Sequence, residues 1–193
     1  MYDVPYFKAG HEKEVLEFMQ DHPFIVLCGA GKDLRPVATH IPVLFERRDE
    51  KLFLLAHAMK KQVHTRVYEE NPNVLAIFYG PHTYVSASWY DKKTIASTWN
   101  YQAVHASGTL KFVDENGLRN ILTRLTEKFE NDPQSPALVD KMEKEYVDKM
   151  MQAIVGFEIE IMVVEHVFKL SQNRDEKSYN NIIRELENGK SDA

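Results

Sequence analysis

The chain has 193 residues, 44% of them hydrophobic and 27% charged, which is the composition of a chain that buries a core rather than of a disordered one. Its net charge of -5 is unevenly spread: residues 1–113 carry 13 Lys and Arg against 12 Asp and Glu, and the remainder 11 against 17. A protein that coats nucleic acid or an anionic membrane through bulk charge is thereby excluded, although a local basic pocket is not.

In chain order, residues 11–21 are predicted to form a short helix with Val15, Phe18 and Met19 on one face, ended by Pro23. Strand character follows at 24–29, 36–45, 51–57, 73–80, 83–90, 96–113 and 155–169, separated by turn or charge clusters such as Gly29 to Asp33, Arg47 to Glu50 and Gly80-Pro81. Cys28, the single cysteine, falls in the first of these and reads as a buried small hydrophobe. It leaves no partner for an intramolecular disulfide and no multi-cysteine zinc site. Between 60 and 71 polar residues dominate, with Val63 and Val67 four apart, so a crossover helix is expected before Asn71-Pro72.

Asp114 is a candidate N-cap for a helix whose stripe is Leu118, Ile121, Leu122, Leu125 and Phe129. After the turn Asp132 to Pro136, Leu138, Met142, Tyr146, Met150 and Ile154 recur every four residues. The two stripes predict a helical hairpin over about 115–154, inserted before the last long strand. A final helix is expected over about 175–188, closed by Gly189, with a mobile tail at 190–193. Many strands with few helices among them imply one mainly-β domain spanning 1–193, an antiparallel barrel or strongly curved sheet. No apolar run approaches the ~20 residues of a membrane span. Met1 to Pro5 lacks the regions of a signal peptide, so a cytoplasmic location is expected.

No P-loop, GxGxxG, GxSxG or HExxH signature is present, so no catalytic residue is assigned and no metal is expected. Two stretches carry possible chemistry. In the first, a strand ends at His57-Ala58 and two cations, Lys60 and Lys61, open a helix. Point charges beside free helix N–H groups suit a phosphate, although Lys-Lys on a first turn is also simply a solvated surface. In the second, Thr83 to Tyr90 and Ser97 to Gly108 hold both tryptophans, Trp89 and Trp99, among tyrosines, hydroxyls and Asn100. Such residues offer stacking faces and edge donors to a planar ring, but composition alone favours a core or dimer cluster of aromatics.

At these residues the chain resembles a known family. The blocks Ser86-x-Ser88-Trp89-Tyr90, Thr98-Trp99-Asn100-Tyr101-x-x-Val104-His105-x-x-Gly108, Ile154-Val155-Gly156-Phe157-Glu158 and Lys169-Leu170-Ser171-Gln172-Asn173-Arg174 are similar to those of the PaiB family, described as FMN-binding negative transcriptional regulators. That family lies within the pyridoxamine-phosphate-oxidase-like split barrels, and the match is collinear from Tyr2 to Leu186. It departs at Ala87 and at Ile95-Ala96-Ser97, where the family tends to carry proline, and in the longer segment after His57.

The resemblance implies a six-stranded antiparallel split β-barrel with flanking helices, forming a homodimer whose clefts take residues from both chains. It implies FMN as cofactor, with the phosphate near Arg35, Lys60 and Lys61. Strand residues Pro36, Val37, Thr39, His40, His57 and Ala58 would lie along the ring, and Ser88, Trp89, Trp99, Asn100 and His105 would cover or edge it. The implied role is that of a transcriptional or metabolic regulator or a flavin-linked sensor. Nothing resembles a helix-turn-helix, and the -6 of the helical half disfavours direct DNA contact through it. Three alternatives stand beside it: a flavin reductase or oxidase using bound FMN and NAD(P)H, a haem-binding split barrel using His40, His57, His105 and His166, and a structural dimer with an empty cleft.

Overall fold

The structure is a computed structural model and describes residues 1–92 and 94–189; the tail expected to be mobile lies outside them. Seven strands and five α-helices are present among those residues: α1 (Glu12–Asp21), β1 (Phe24–Ala30), β2 (Pro36–Pro42), β3 (Leu44–Arg48), β4 (Lys51–Met59), α2 (Val63–Glu70), β5 (Asn73–Val85), β6 (Thr98–Phe112), α3 (Glu115–Glu130), α4 (Lys144–Gln152), β7 (Ile154–Lys169) and α5 (Glu176–Glu187). The strands form one sheet in the order β2-β1-β5-β6-β7-β4-β3. The β1–β2, β1–β5, β3–β4 and β4–β7 pairs are antiparallel. The chain is therefore mainly β with helices, as expected, but the sheet has seven strands rather than six.

Two local effects account for the count. The run expected at 36–45 breaks at a corner where Val43, fully buried, donates its N–H to the Pro23 carbonyl (2.9 Å). β2 thus ends at Pro42 and β3 starts at Leu44. Conversely, Gly80-Pro81 is not a turn: β5 runs through it to Val85. The β1–β5 ladder ends at Val26–Ile77, so the missing N–H of Pro81 interrupts no bond of that ladder. Gly80 is needed at its position because a Cβ there would lie 2.7 Å from the Phe18 ring.

The contacts divide into two compact units. One comprises residues 23–78 and 106–164. Within it the strands β2 and β4 approach each other although four strands separate them in the sheet order, which requires the sheet to curl. α3 closes this unit: Ile121 and Leu125 pack with Leu44, Phe53 and Leu55. Leu118, on the same helix, packs with Val147 and Met151 of α4. Two helices, α3 and α4, precede β7, but the second starts later than the spacing of its stripe predicts. α4 begins only at Lys144, so Leu138 and Met142 precede it, and Val147 and Met151 form its buried face while Tyr146 is 55% exposed. Four-residue spacing fits any line down a helix, and residues beyond the true start do not share it.

The other unit comprises residues 1–22, 79–105 and 165–193, of which those up to 189 are described. Here α1 buries Val15, Phe18 and Met19 as predicted, and Phe18 packs on Phe168 with ring centroids 5.0 Å apart. α5, capped by Asp175, sets Ile182 against Val85 and Tyr90.

Candidate functional site

The residues expected to face a cofactor fall into both units. In the first, β2 and β4 flank a cleft of about 250 Å3 lined by Thr39, His40, His57, Ala58 and, unforeseen from sequence, His64 and Ile154. The lining takes consecutive residues from the ends of both strands, exposed His40 beside half-buried Thr39 and half-buried His57 beside buried Ala58, rather than one alternating face. Ile154 arrives because β4 and β7 pair Met59 with Ile154 and His57 with Gly156.

Burial holds the imidazole pKa values of His57 and His64 below the usual histidine range, so both rings are neutral near pH 7. His57 Nδ1 is buried and without a hydrogen-bond partner among the described residues. A buried ring nitrogen without a partner is uncommon in a folded protein.

α2 begins beside this cleft. Its N-cap Gln62 makes no side-chain cap, which leaves the amides of the first turn available to an anion. The start of the helix is fixed at three points: Thr65 Oγ1 donates to the Met59 carbonyl (2.7 Å), the Lys60 N–H to the Ala153 carbonyl (2.9 Å), and the fully buried Tyr68 hydroxyl to the Leu27 carbonyl (2.9 Å). Lys60 and Lys61 are exposed in the turn preceding it. Lys60 lines a neighbouring cavity rather than the cleft itself. Arg35, Pro36 and Val37 do not line the cleft either. The Arg35 N–H is held by Asp33 Oδ1 (3.0 Å), while Pro36 and Val37 pair with Ala30 and Gly29.

In the second unit, Trp99 is 48% exposed and belongs to a surface aromatic group: its ring lies 5.9 Å from both His82 and Tyr84, and His82 lies 5.1 Å from Tyr79. Asn100 is different. It is 7% exposed, and its Oδ1 accepts from Ser171 Oγ (2.8 Å), while Lys169 Nζ donates to Thr98 Oγ1 and to the Trp99 carbonyl (2.9 Å). The Thr-Trp-Asn and Lys-Leu-Ser blocks thus clamp each other, a structural duty that their sequence separation conceals. Ser88 lies in a 3-10 turn, Ala87–Trp89, with its N–H on Ser86 Oγ (3.2 Å), and Trp89 packs on the Val85–Tyr90–Ile182 cluster.

Of the four histidines considered for haem, His40 and His57 line the cleft, whereas His105 and His166 belong to the second unit. His166 Nε2 accepts the Ala9 N–H (2.8 Å), a satisfied imidazole. No cluster of three or more metal-ligating side chains occurs among the described residues. No helix among them is long and apolar enough to cross a membrane.

The fold is a curled half-barrel sheet of seven strands with five helices among the described residues. Residues 1–163 match the model of a family described as "Putative FMN-binding domain". Over 190 residues the chain is 36% identical to the protease synthase and sporulation protein PAI 2 of Bacillus subtilis, covering 97% of this chain and 90% of that one. The chain therefore belongs to this FMN-binding family, that of PaiB, and FMN is the cofactor membership assigns to it. Among solved structures, the conserved hypothetical protein Rv2991 of Mycobacterium tuberculosis is similar with a TM-score of 0.61 and 15% identity, covering 91% of this chain and 94% of that one. The FAD and heme binding protein of Mycobacterium smegmatis also has a TM-score of 0.61, at 16% identity, covering 83% and 72%. At these identities the likeness is one of fold.

The residues present fit FMN. His57, whose Nδ1 has no partner, lines the cleft, α2 begins beside it without a side-chain cap, and Lys60 and Lys61 stand exposed in the turn before that helix.

Proposed function

We propose that the chain is a PaiB-type, cytoplasmic homodimer that binds FMN and acts as a flavin-linked sensor or regulator, without touching DNA through its acidic half. The observation carrying this reading is the buried, unpartnered Nδ1 of His57 in a cleft beside the uncapped start of α2, where Lys60 and Lys61 stand. A phosphate is close to dianionic near neutral pH, and two or three cations with free amides are its ordinary complement. Lys60, Lys61 and Arg35 would hold it, with Thr39, His40, His57 and Ala58 along the ring. Exposed Trp99 of the partner chain, with that chain's Ser88, Trp89 and His105, would cover the ring in a homodimer whose clefts take residues from both chains. Asn100, buried and bonded to Ser171, would support Trp99 rather than meet the ring.

Bound flavin supplies hydride and electron transfer; these residues bind and orient it. A near-neutral first 113 residues with a few placed cations is consistent with one phosphate site, whereas a DNA surface needs a basic stripe. The test is the Lys60→Ala/Lys61→Ala double variant. It should purify colourless and lose FMN-induced thermal stabilisation, and unaltered binding refutes the placement. Rapid reduction of the FMN-loaded protein by NADH or NADPH would instead establish an oxidoreductase.

A further inference from the structure

Residues 1–10 are strapped across their own unit by contacts to two of its elements. On β7, His166 Nε2 accepts the Ala9 N–H (2.8 Å), the His166 carbonyl accepts from Lys8 Nζ (3.3 Å), and Glu165 pairs with the Met1 ammonium (3.5 Å). On α1, Glu14 Oε2 accepts the Gly10 N–H (3.2 Å). Phe7 is buried, and the rings of Tyr2 and Tyr6 that adjoin it are more than half exposed. One buried ring does little against the chain entropy of such a segment, so the polar contacts decide whether it stays docked.

In the pH range where histidines titrate, the Ala9–His166 bond is the one that protonation abolishes. A backbone donor needs Nε2 unprotonated, so the neutral ring carries its hydrogen on Nδ1, and the imidazolium has no acceptor at all. Protonation therefore sets two N–H groups against each other and adds a positive charge beside Lys8. The charged groups around the ring are Lys8 of the segment with its partner Asp3 (3.2 Å), Glu14 of α1, and Glu165 on β7, near which His105 of β6 also lies. Glu14 favours the imidazolium, but burial first and Lys8 second oppose it and hold the docked ring below the usual histidine range.

We propose that residues 1–10 form an acid-released strap whose catch is the Ala9–His166 hydrogen bond. Once released, the imidazole returns to an ordinary pKa of about 6.5, so docking is at full strength above that pH and weakens as pH falls below it. A single proton limits the weakening to about thirtyfold at pH 5. Release uncovers Phe7, over whose ring the Lys169 ammonium lies at 5.8 Å, and that ammonium donates to Thr98 Oγ1 and to the Trp99 carbonyl (2.9 Å). The strap thereby couples acidity to the mooring of Trp99. It does not depend on the flavin placement.

Amide hydrogen exchange of the full chain at about pH 7.5 and about pH 5, corrected for intrinsic rates, tests this. Ala9 protection should fall by between about threefold and thirtyfold. The Leu110 N–H, bonded to the Pro72 carbonyl (2.8 Å) in the core, should stay better protected than Ala9 at both pH values. His166→Gln keeps an acceptor that does not titrate and His166→Phe has none. Both should lose the response, the first with Ala9 protected and the second with it exposed, whereas His11→Gln and His105→Gln should keep it. Ala9 protection that changes by less than about twofold overturns the strap. So does a response that survives in either His166 variant or disappears in the His11 or His105 variant. Ala9 exchanging no faster than Leu110 overturns it as well, because the segment then opens only when the whole chain unfolds.

Discussion

The placement of α2 sets the position of both lysines, and one close contact governs it. Tyr68 is 1% exposed, donates to the Leu27 carbonyl, and lies against Gly29 so tightly that a Cβ there would fall 2.7 Å from its Cε1 and 3.0 Å from its Cδ1. Gly29 has no positive φ, so Gly29→Ala adds no backbone strain and isolates this collision. Ordinary carbon contacts need about 3.5–4.0 Å, so the ring must move by roughly 1 Å or the strand must bend. Overpacking of this kind costs about 1–3 kcal/mol. The expected loss in melting temperature for a chain of this length is about 2–4 °C per kcal/mol.

The Tyr68→Leu variant removes the ring edge and the hydroxyl bond. It should cost about 2–4 kcal/mol by itself, from the cavity and the unsatisfied Leu27 carbonyl, and should make Gly29→Ala nearly neutral. Urea unfolding of the apo wild type, both singles and the double then gives a coupling of about 1–3 kcal/mol. FMN affinity should fall in Gly29→Ala, because the displaced helix carries Lys60 and Lys61 away with it. Additive stabilities, or a Gly29→Ala protein as stable as the wild type, would show that Tyr68 does not seat the helix.

Other outcomes follow from the same geometry. Ser171→Ala leaves the buried Asn100 carbonyl oxygen without its donor and should cost about 1–3 kcal/mol by thermal unfolding; Asn100→Ala should cost a similar amount, and neither should bleach FMN outright. Burial depresses the pKa values of His57, His64, His105 and His166, so the unfolded chain binds protons that the folded chain refuses. The stability they permit is therefore complete above about pH 6.5 and should decline as pH falls through their folded values, visible in urea midpoints between pH 7 and 5. His57→Ala should abolish the part of this slope due to His57. The Arg124–Glu46–Arg48–Glu158 ion pairs are a third or so exposed, so Arg124→Gln should cost under about 1 kcal/mol, and less still in 1 M salt.

Local pattern carried much of this molecule. The apolar spacing of Val15, Phe18 and Met19, the Asp114 cap with Leu118, Ile121 and Leu125, and the alternation of the long strands are properties of short stretches, and each element stands close to where those stretches place it. Family membership was likewise legible in four short blocks. Where one element stops depends on its neighbours, however. The Pro42–Val43 corner forms because Val43 finds the Pro23 carbonyl, and β5 passes Gly80-Pro81 because the β1 ladder has already ended.

The charge imbalance is a property of the sequence alone, and the long-range pairing is not. No spacing rule could bring Ile154 and His64 to the cleft, or reveal that Asn100 is bonded to Ser171. Nor could one tell that Lys60 borders a cavity with Glu69 and Glu115. Those juxtapositions join residues tens of positions apart. They exist only because burial of the apolar faces curls the sheet, and the entropy of closing such long loops is recovered only when the whole core forms.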